Sequence, residues 1–426
     1  MNSQFMPQQQ QIAVIGGGVV GVCTAYFLAE AGHQVVVIER LGNVAEKASF
    51  GNAGVVAPGY VTPWAAPGMP KKLLSSLFKP DSPVLLKPTL DRALWRWVRM
   101  WLAECELDRY RINKARMQRV ALYSRHILQQ LRDHHQLDYE QTRGYLQLFR
   151  SERDLALAQP ALAMLAEQGI AHQLLDAGQA RVIEPALSTS TALAGGLHLP
   201  DDEAGNCPLF TKQMKAIAQA MGVEFHFGST VSALEAQGGR ITMHIDAREF
   251  SADAVVVAAG IDSARLLAPL GIRLPLYPVK GYSATAAIRN FDEAPHAALM
   301  DESYKVAITR MGSRVRIAGL AELGTVSTDL HEGAMRTLAK VGEDWFPDAA
   351  NYNNASFWSG IRPMLPDGPP VLGATPVRNL YVNIGHGSAG WAMAAGCGMV
   401  LADIVSGRTP DIDMEGLTLA RYARMP

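Results

Sequence analysis

The stretch Ile12-Ala13-Val14-Ile15-Gly16-Gly17-Gly18-Val19-Val20-Gly21 decides how this chain is read. A short apolar run stops at three glycines, and Val19 to Ala31 then carries helix-forming residues, with Gly32 placed to end the helix. Val35-Val36-Val37-Ile38 follows as a β-branched run closed by Glu39. Strand, turn, helix and strand in that order make a βαβ unit. Its glycines fit Gly-x-Gly-x-x-Gly, and each has a reason. Gly16 permits the tight turn, Gly18 lets the backbone approach a pyrophosphate, and Gly21 lets helix and strand pack closely. The helix N-terminus offers free N–H groups and partial positive charge to phosphates. Glu39, eighteen residues beyond Gly21, is placed to accept hydrogen bonds from ribose hydroxyls and disfavours a 2′-phosphate.

Working outward, residues 50–70 are rich in Gly, Ala and Pro without periodicity, a long irregular stretch of the kind that often serves function. Residues 89–135 are helical in composition, and Cys207–Gly222 is an amphipathic helix through Leu209, Met214, Ile217, Ala218 and Met221. Two strands and a hairpin around Gly238-Gly239 precede the apolar strand Ala254–Ala259, which ends at Gly260. Residues 275–360 read largely as sheet, with Lys305–Thr309 and Arg314–Ala318 as paired strands. From Leu380 the opening pattern returns: a strand, the turn Gly385-His386-Gly387-Ser388-Ala389-Gly390, and a helix to about Ile404.

The fingerprint alone does not separate FAD from NAD. The insertion between Val223 and Gly260 favours FAD, and so does the second glycine turn, whose helix N-terminus suits negative charge on a reduced flavin. The expected fold class is α/β, an FAD-binding Rossmann-like domain interleaved with an α+β substrate domain. Residues 1–80, 201–277 and 361–426 are expected to build the first, and 81–200 and 278–360 the second.

Length and composition bound the rest. At 426 residues, two packed domains are the default. A net charge of −1 gives no general attraction for nucleic acid. Cys23, Cys105, Cys207 and Cys397 stand far apart, so neither a zinc site nor a disulfide framework is expected, and a reducing cytoplasm is the expected compartment. Met1 to Gln11 is polar and glutamine-rich, unlike a secretory signal, and no run of 18 apolar residues suggests a bilayer span.

Several blocks resemble the D-amino-acid oxidase superfamily, whose architecture is glutathione-reductase-like, and most closely its bacterial D-amino-acid dehydrogenase small subunits. They are Ile12–Arg40; Ser49-Phe50-Gly51-Asn52-Ala53-Gly54 with Pro58-Gly59-Tyr60 and Pro63–Gly68; Pro278–Ser283; and Ser359-Gly360-Ile361-Arg362-Pro363-Met364 with Pro366-Asp367-Gly368, continuing to Gly385–Trp391. The match runs in order over nearly the whole chain. The resemblance implies that Asn52, Ala53 and Gly54 contact the flavin N5 edge. At position 51 the family usually has Ala, and this chain has Gly51. It also implies that Arg362 pairs with the substrate carboxylate, for which a planar guanidinium is suited; the other reading is a structural Arg paired with Asp367. Ile15, Gly16, Gly18, Gly21, Glu39, Arg40, Ser49, Val231, Ala259, Gly260, Gly360, Gly387, Ser388, Gly390 and Trp391 complete the expected cofactor set.

The implied reaction is oxidation of a D-amino acid, with hydride passing from Cα to flavin N5 and electrons to a quinone or another non-oxygen acceptor. An oxygen-using oxidase, a D-hydroxyproline or D-proline type imino-acid dehydrogenase, and a non-catalytic flavin-binding electron-transfer subunit stay open as alternatives. Tyr60 and Tyr304 are candidates to bind the carboxylate or close the pocket, and His386 to bond flavin or take a proton. Lys280 lies either near the ring or, solvated, at a sheet corner. Trp95, Trp97 and Trp101 interleave with Arg92, Arg96 and Arg99, and Lys71-Lys72 and Leu77-Phe78-Lys79 repeat the theme. Residues 69–102 thus suit either peripheral contact with the inner face of the cytoplasmic membrane or a helix docked on its own domain. Additional subunits would fit the resemblance.

Overall fold

The computed structural model describes residues 9–76 and 82–423. The β-branched runs expected as strands assemble a six-stranded sheet in the order Val371–Ala374, Leu380–Ile384, Ala254–Val257, Gln11–Ile15, Gln34–Ile38, Glu224–His226. All neighbours are parallel except the first pair. Because side chains alternate along a strand, each run feeds two cores. Ile12, Val14, Val35 and Val37 point to one face, where the helices Val19–Glu30, Leu107–His135, Cys207–Ala220 and Gly390–Val405 pack. Ala13, Ile15, Val36 and Ile38 point to the other, against a three-stranded meander of Val231–Gln237, Arg240–Ile245 and Arg248–Ala252. Burial on both faces is why these strands read as unbroken apolar runs.

A second sheet of ten strands runs from Ser356–Met364 through Tyr277–Ala287, Arg314–Leu323, Val306–Met311, Ala298–Asp301, Thr142–Phe149 and Gly195–Ala204 to Val55–Val56, with two short strands paired alongside. Its strand Gly195–Ala204 runs across the expected boundary at 200, and Ser356–Met364 across that at 360. The long helix Leu107–His135 shares its core with the fingerprint helix through Met117, Val120, Ala121, Ile127, Leu128 and Leu131, so part of 81–200 packs on the nucleotide half. Within 275–360, read as sheet, lies the helix Glu332–Trp345. Its buried Ala334, Leu338, Val341 and Trp345 repeat at helical spacing and cover one face of the large sheet.

Gly387–Val405 spans a helical stretch long and apolar enough to cross a membrane, but 72% of that window is buried between the fingerprint helix and Leu107–His135. The tryptophan helix Arg92–Glu104 is docked: Leu94, Trp97 and Trp101 turn inward onto Tyr277, Val279 and Met364, and Trp97 Nε1 donates to Met364 O at 3.1 Å. Leu77, Phe78 and Lys79 lie outside the described residues. All four cysteines are unpaired.

One core residue makes a quantitative prediction. Lys114 is 3% exposed, and among the described residues its ammonium donates only to Val61 O, at 3.3 Å. Burial lowers its pKa from 10.5 to about 8. Between those values the unfolded chain binds the extra proton, so this site makes stability rise with pH across that window. Below pH 8 the buried charge costs on the order of 3 kcal/mol. Lys114→Met is therefore expected to stabilise the protein at pH 7 by up to about that amount, with the gap closing towards pH 10. Denaturant unfolding at both pH values checks it; an equal gap at both would contradict the assignment.

Candidate active site

Two positions of the fingerprint turn, Gly16 and Gly21, have no room for a side chain. Gly16 has φ +115°, and a Cβ there would lie 2.5 Å from Ala258 O. A Cβ on Gly21 would lie 1.9 Å from Gly16 O, which places helix against turn at the closest approach in the motif. Gly18 is different: its Cβ would meet only Ser49 Oγ, at 3.5 Å, so its bareness faces outward to a ligand. Gly17 N–H donates to Glu39 Oε2 at 2.6 Å and Leu41 N–H to Glu39 Oε1 at 2.9 Å, which orients the carboxylate at the strand tip. Ser49 Oγ accepts from Val19 N at 3.1 Å at the start of the helix. Ile15 ends the first strand, and its carbonyl accepts from Ala258 N at 2.9 Å, so Ala259 and Gly260 follow beside the turn with open space around Gly260. Arg40 pairs with Asp262 at 2.8 Å, on the exposed rim. Val231 is buried in the meander, two residues after Ser229, whose N–H reaches Glu39 O at 3.0 Å.

The loop Ser49–Gly54 is lashed to three other elements. Thr309 Oγ1 donates to Ala53 O at 2.8 Å, Arg316 Nη1 to Phe50 O and Asn52 O at 3.2 and 3.1 Å, and Trp391 Nε1 to Gly54 O at 3.1 Å. Asn52 Oδ1 accepts from Gly54 N at 2.7 Å and closes the turn. The ring of Trp358 occupies the place of a side chain at both Gly51 and Gly360, at 1.9 and 2.0 Å from an added Cβ. Glycine at position 51, where the resembling family has alanine, is what lets this indole lie against the loop.

Strand register sorts the remaining candidates by sheet face. Val279 pairs with Arg362, Gly281 with Gly360, Ser283 with Trp358 and Thr285 with Arg316, so Arg362, Trp358, Arg316 and the loop share one face. Tyr60 packs on that face too, its ring 5.2 Å from that of Tyr145. Burial, then Glu302, raises the Tyr60 phenol well above its ordinary value, so it is a neutral donor. The opposite face carries the helix Glu332–Trp345, and there lies Tyr304, stacked between Arg150 and Lys340 at 4.8 and 5.0 Å. Tyr304 is therefore withdrawn from the site: one residue of turn separates it from strand register, and it faces away from Arg362. Lys280 is on that far face as well, buried and paired with Glu322 at 3.2 Å, neither at the flavin side nor solvated.

Arg362 donates from Nη1 to Leu320 O at 2.7 Å and from Nη2 to Gly319 O at 3.2 Å. Leu320 has φ +56°, and the register slips here, so a bulge turns two carbonyls towards the guanidinium. Among the described residues no carboxylate pairs with Arg362. Asp367 belongs instead to Arg421, at 2.6 Å, and to the Tyr422 hydroxyl, at 2.5 Å, so it is not the partner of Arg362. Burial lowers the Arg362 pKa to about 10, leaving it cationic at neutral pH.

The late glycine turn comes to the same place. His386 bridges to Met364, two residues beyond Arg362, and is buried with no partner on Nε2 among the described residues; burial lowers its pKa to about 4, so the ring is neutral. Gly387 has φ +55° and lies against Met364, Ser388 is exposed, and Gly390 opens the last helix with Trp391 directed onto the loop. A bare Gly18, open space at Gly260, an orphaned His386 Nε2 and an unpaired Arg362 are what FAD and a carboxylate substrate would complete. Residues that the sequence reading did not select, Arg316, Thr309 and Trp358, hold the loop. The one signal for them was an arginine alternating with apolar residues inside the strand Arg314–Ala318.

Comparison with known proteins agrees with this geometry. Residues 11–404 match the model of the DAO family, FAD dependent oxidoreductase. The chain belongs to this family of FAD-dependent oxidoreductases. Within it, the chain is 46% identical to a D-amino acid dehydrogenase of Rhizorhabdus wittichii, over 97% of this chain and 100% of that one. It is 45% identical to a D-amino acid dehydrogenase of Vibrio vulnificus, over 96% and 99%. The fold is shared with glycine oxidase from Geobacillus kaustophilus at TM-score 0.77 and 23% identity, covering 97% and 99% of the two chains.

Proposed function

We propose that this chain is an FAD-dependent dehydrogenase that oxidises D-amino acids to 2-oxo acids and ammonia. The observation that carries the reading is Arg362, a cation on the face with the Ser49–Gly54 loop and, among the described residues, without a carboxylate of its own. An α-carboxylate supplies the missing anion, and two parallel hydrogen bonds fix the Cα–H direction. Tyr60 lies on the same face, its neutral hydroxyl held beside Glu302 and Lys305. Glu39 and the fingerprint turn would hold the adenosine and pyrophosphate, and the 49–54 loop with His386 the ring. FAD bound there would supply the acceptor for a hydride lost from the substrate Cα, and water would convert the resulting imine to the 2-oxo acid and ammonia. The protein's part is orientation and electrostatic stabilisation more than proton transfer.

A quinone or another non-oxygen acceptor at the inner face of the cytoplasmic membrane belongs to the same proposal. It is supported by the outward side of the helix Arg92–Glu104, where Trp95 (52% exposed) and Leu102 stand among Arg92, Arg96 and Arg99. An apolar and basic stripe of this kind suits a bilayer surface. Trp97 and Trp101 follow the other expectation, a helix docked on its own domain, and lie in the core.

The test is anaerobic mixing of the yellow protein with both enantiomers of several amino acids. The flavin band is expected to bleach with D-enantiomers and to stay with L. It should return quickly with a quinone analogue and slowly in air. Bleaching by L-enantiomers alone, or by none, would reject the proposal.

A further inference from the structure

Arg316 is 6% exposed, lies on the loop-bearing face of the large sheet, and has no carboxylate within ion-pair reach among the described residues. Its Nη1 donates to the carbonyls on both sides of Gly51, and its Nε is buried without a partner. A guanidinium buried in this way is costly unless something negative balances it. The contacts it does make are to backbone, and they are with the loop that stands against the cofactor. Neighbouring Arg314 is itself a cation, paired with Glu140 at 3.1 Å. Thr309 holds the same loop one residue further on, without charge, so loop-holding and charge can be separated in this protein.

We infer that Arg316 is a positioning residue that fixes the Ser49–Gly54 loop against the flavin and supplies a standing positive charge that favours the cofactor's reduced, anionic form. It acts through the loop carbonyls and through its field, without contact to substrate. The inference rests on the flavoprotein assignment but not on the substrate: the probe below contains no amino acid, so its failure is distinguishable from an error in substrate class.

The experiment titrates the holoenzyme with sulfite, which adds to the oxidised ring and leaves it negative, and measures the flavin reduction potential by dye equilibration. Arg316→Gln removes charge but keeps a donor. Its sulfite dissociation constant is expected to rise at least about tenfold, and the same factor in a two-electron couple lowers the potential by about 30 mV. Arg316→Lys is expected to stay within threefold of the parent. Thr309→Val is expected to weaken FAD binding while leaving both readouts within threefold. Unchanged sulfite affinity in Arg316→Gln, or equal losses in the Gln and Lys variants, would overturn the inference. Should the Gln variant purify without flavin, the Lys variant decides: a tenfold loss there, with charge retained, also overturns it.

Discussion

Replacing Arg362 with Leu is expected to lower kcat/KM for a D-amino acid by about 10²- to 10³-fold, chiefly through KM, with the flavin still bound. Truncating one partner of a desolvated charge pair costs about 2–5 kcal/mol, and here the partner left behind is the substrate carboxylate. The guanidinium also satisfies Gly319 O and Leu320 O. Some of the loss is therefore structural, and Arg362→Lys separates the two. Lysine keeps the charge but not the paired geometry, so it should recover part of the loss for amino acids. Steady-state kinetics with flavin content measured on each preparation checks both. An Arg362→Leu enzyme with the parental KM would remove this residue from the substrate site.

The second large effect is expected at the fingerprint, where two glycines should fail in different ways. Gly21→Ala puts a methyl 1.9 Å from Gly16 O, so helix or turn must move, and both thermal stability and FAD affinity fall. Gly18→Ala meets only Ser49 Oγ at 3.5 Å, so the apoprotein should melt within a few degrees of the parent while FAD affinity drops at least about tenfold, the cost of a methyl where a phosphate must approach the backbone. Apoprotein melting and FAD titration read the two quantities apart. Equal melting losses in both variants would contradict the assignment of Gly18 to the ligand side.

The parts of the fold that could be read in the chain were those where one local rule acts alone. The βαβ unit, the hairpin around Gly238-Gly239 and the closing strand–turn–helix carry apolar periodicity and glycine punctuation with little tertiary override. The helix Glu332–Trp345 was hidden because its neighbours on both sides are strands, although Ala334, Leu338, Val341 and Trp345 have helical spacing. The motif-bearing site candidates, from Gly16 through Arg362 to His386, were selected by the same punctuation.

What sequence could not supply was the face on which a side chain falls. Tyr60 and Tyr304 looked equivalent, and sheet register and packing separate them. Trp95, Trp97 and Trp101 suited a membrane face and a docked helix alike, and the structure turns Trp97 and Trp101 inward while leaving Trp95 outside. Arg316 had no motif, and its importance comes from partners more than 260 positions away, at Phe50 and Asn52. Gly51 reads as a minor departure in sequence and becomes intelligible only beside Trp358.

The claim on which the account depends is that a substrate carboxylate completes Arg362 beside the flavin. Rapid anaerobic mixing of the holoenzyme with D-alanine and with D-alaninamide, which differ only in that group, tests it directly. Flavin bleaching should saturate at an acid concentration at least about a hundredfold below that needed for the amide, consistent with loss of a charge-assisted pair. Equal bleaching by acid and amide would show that Arg362 does not read the carboxylate.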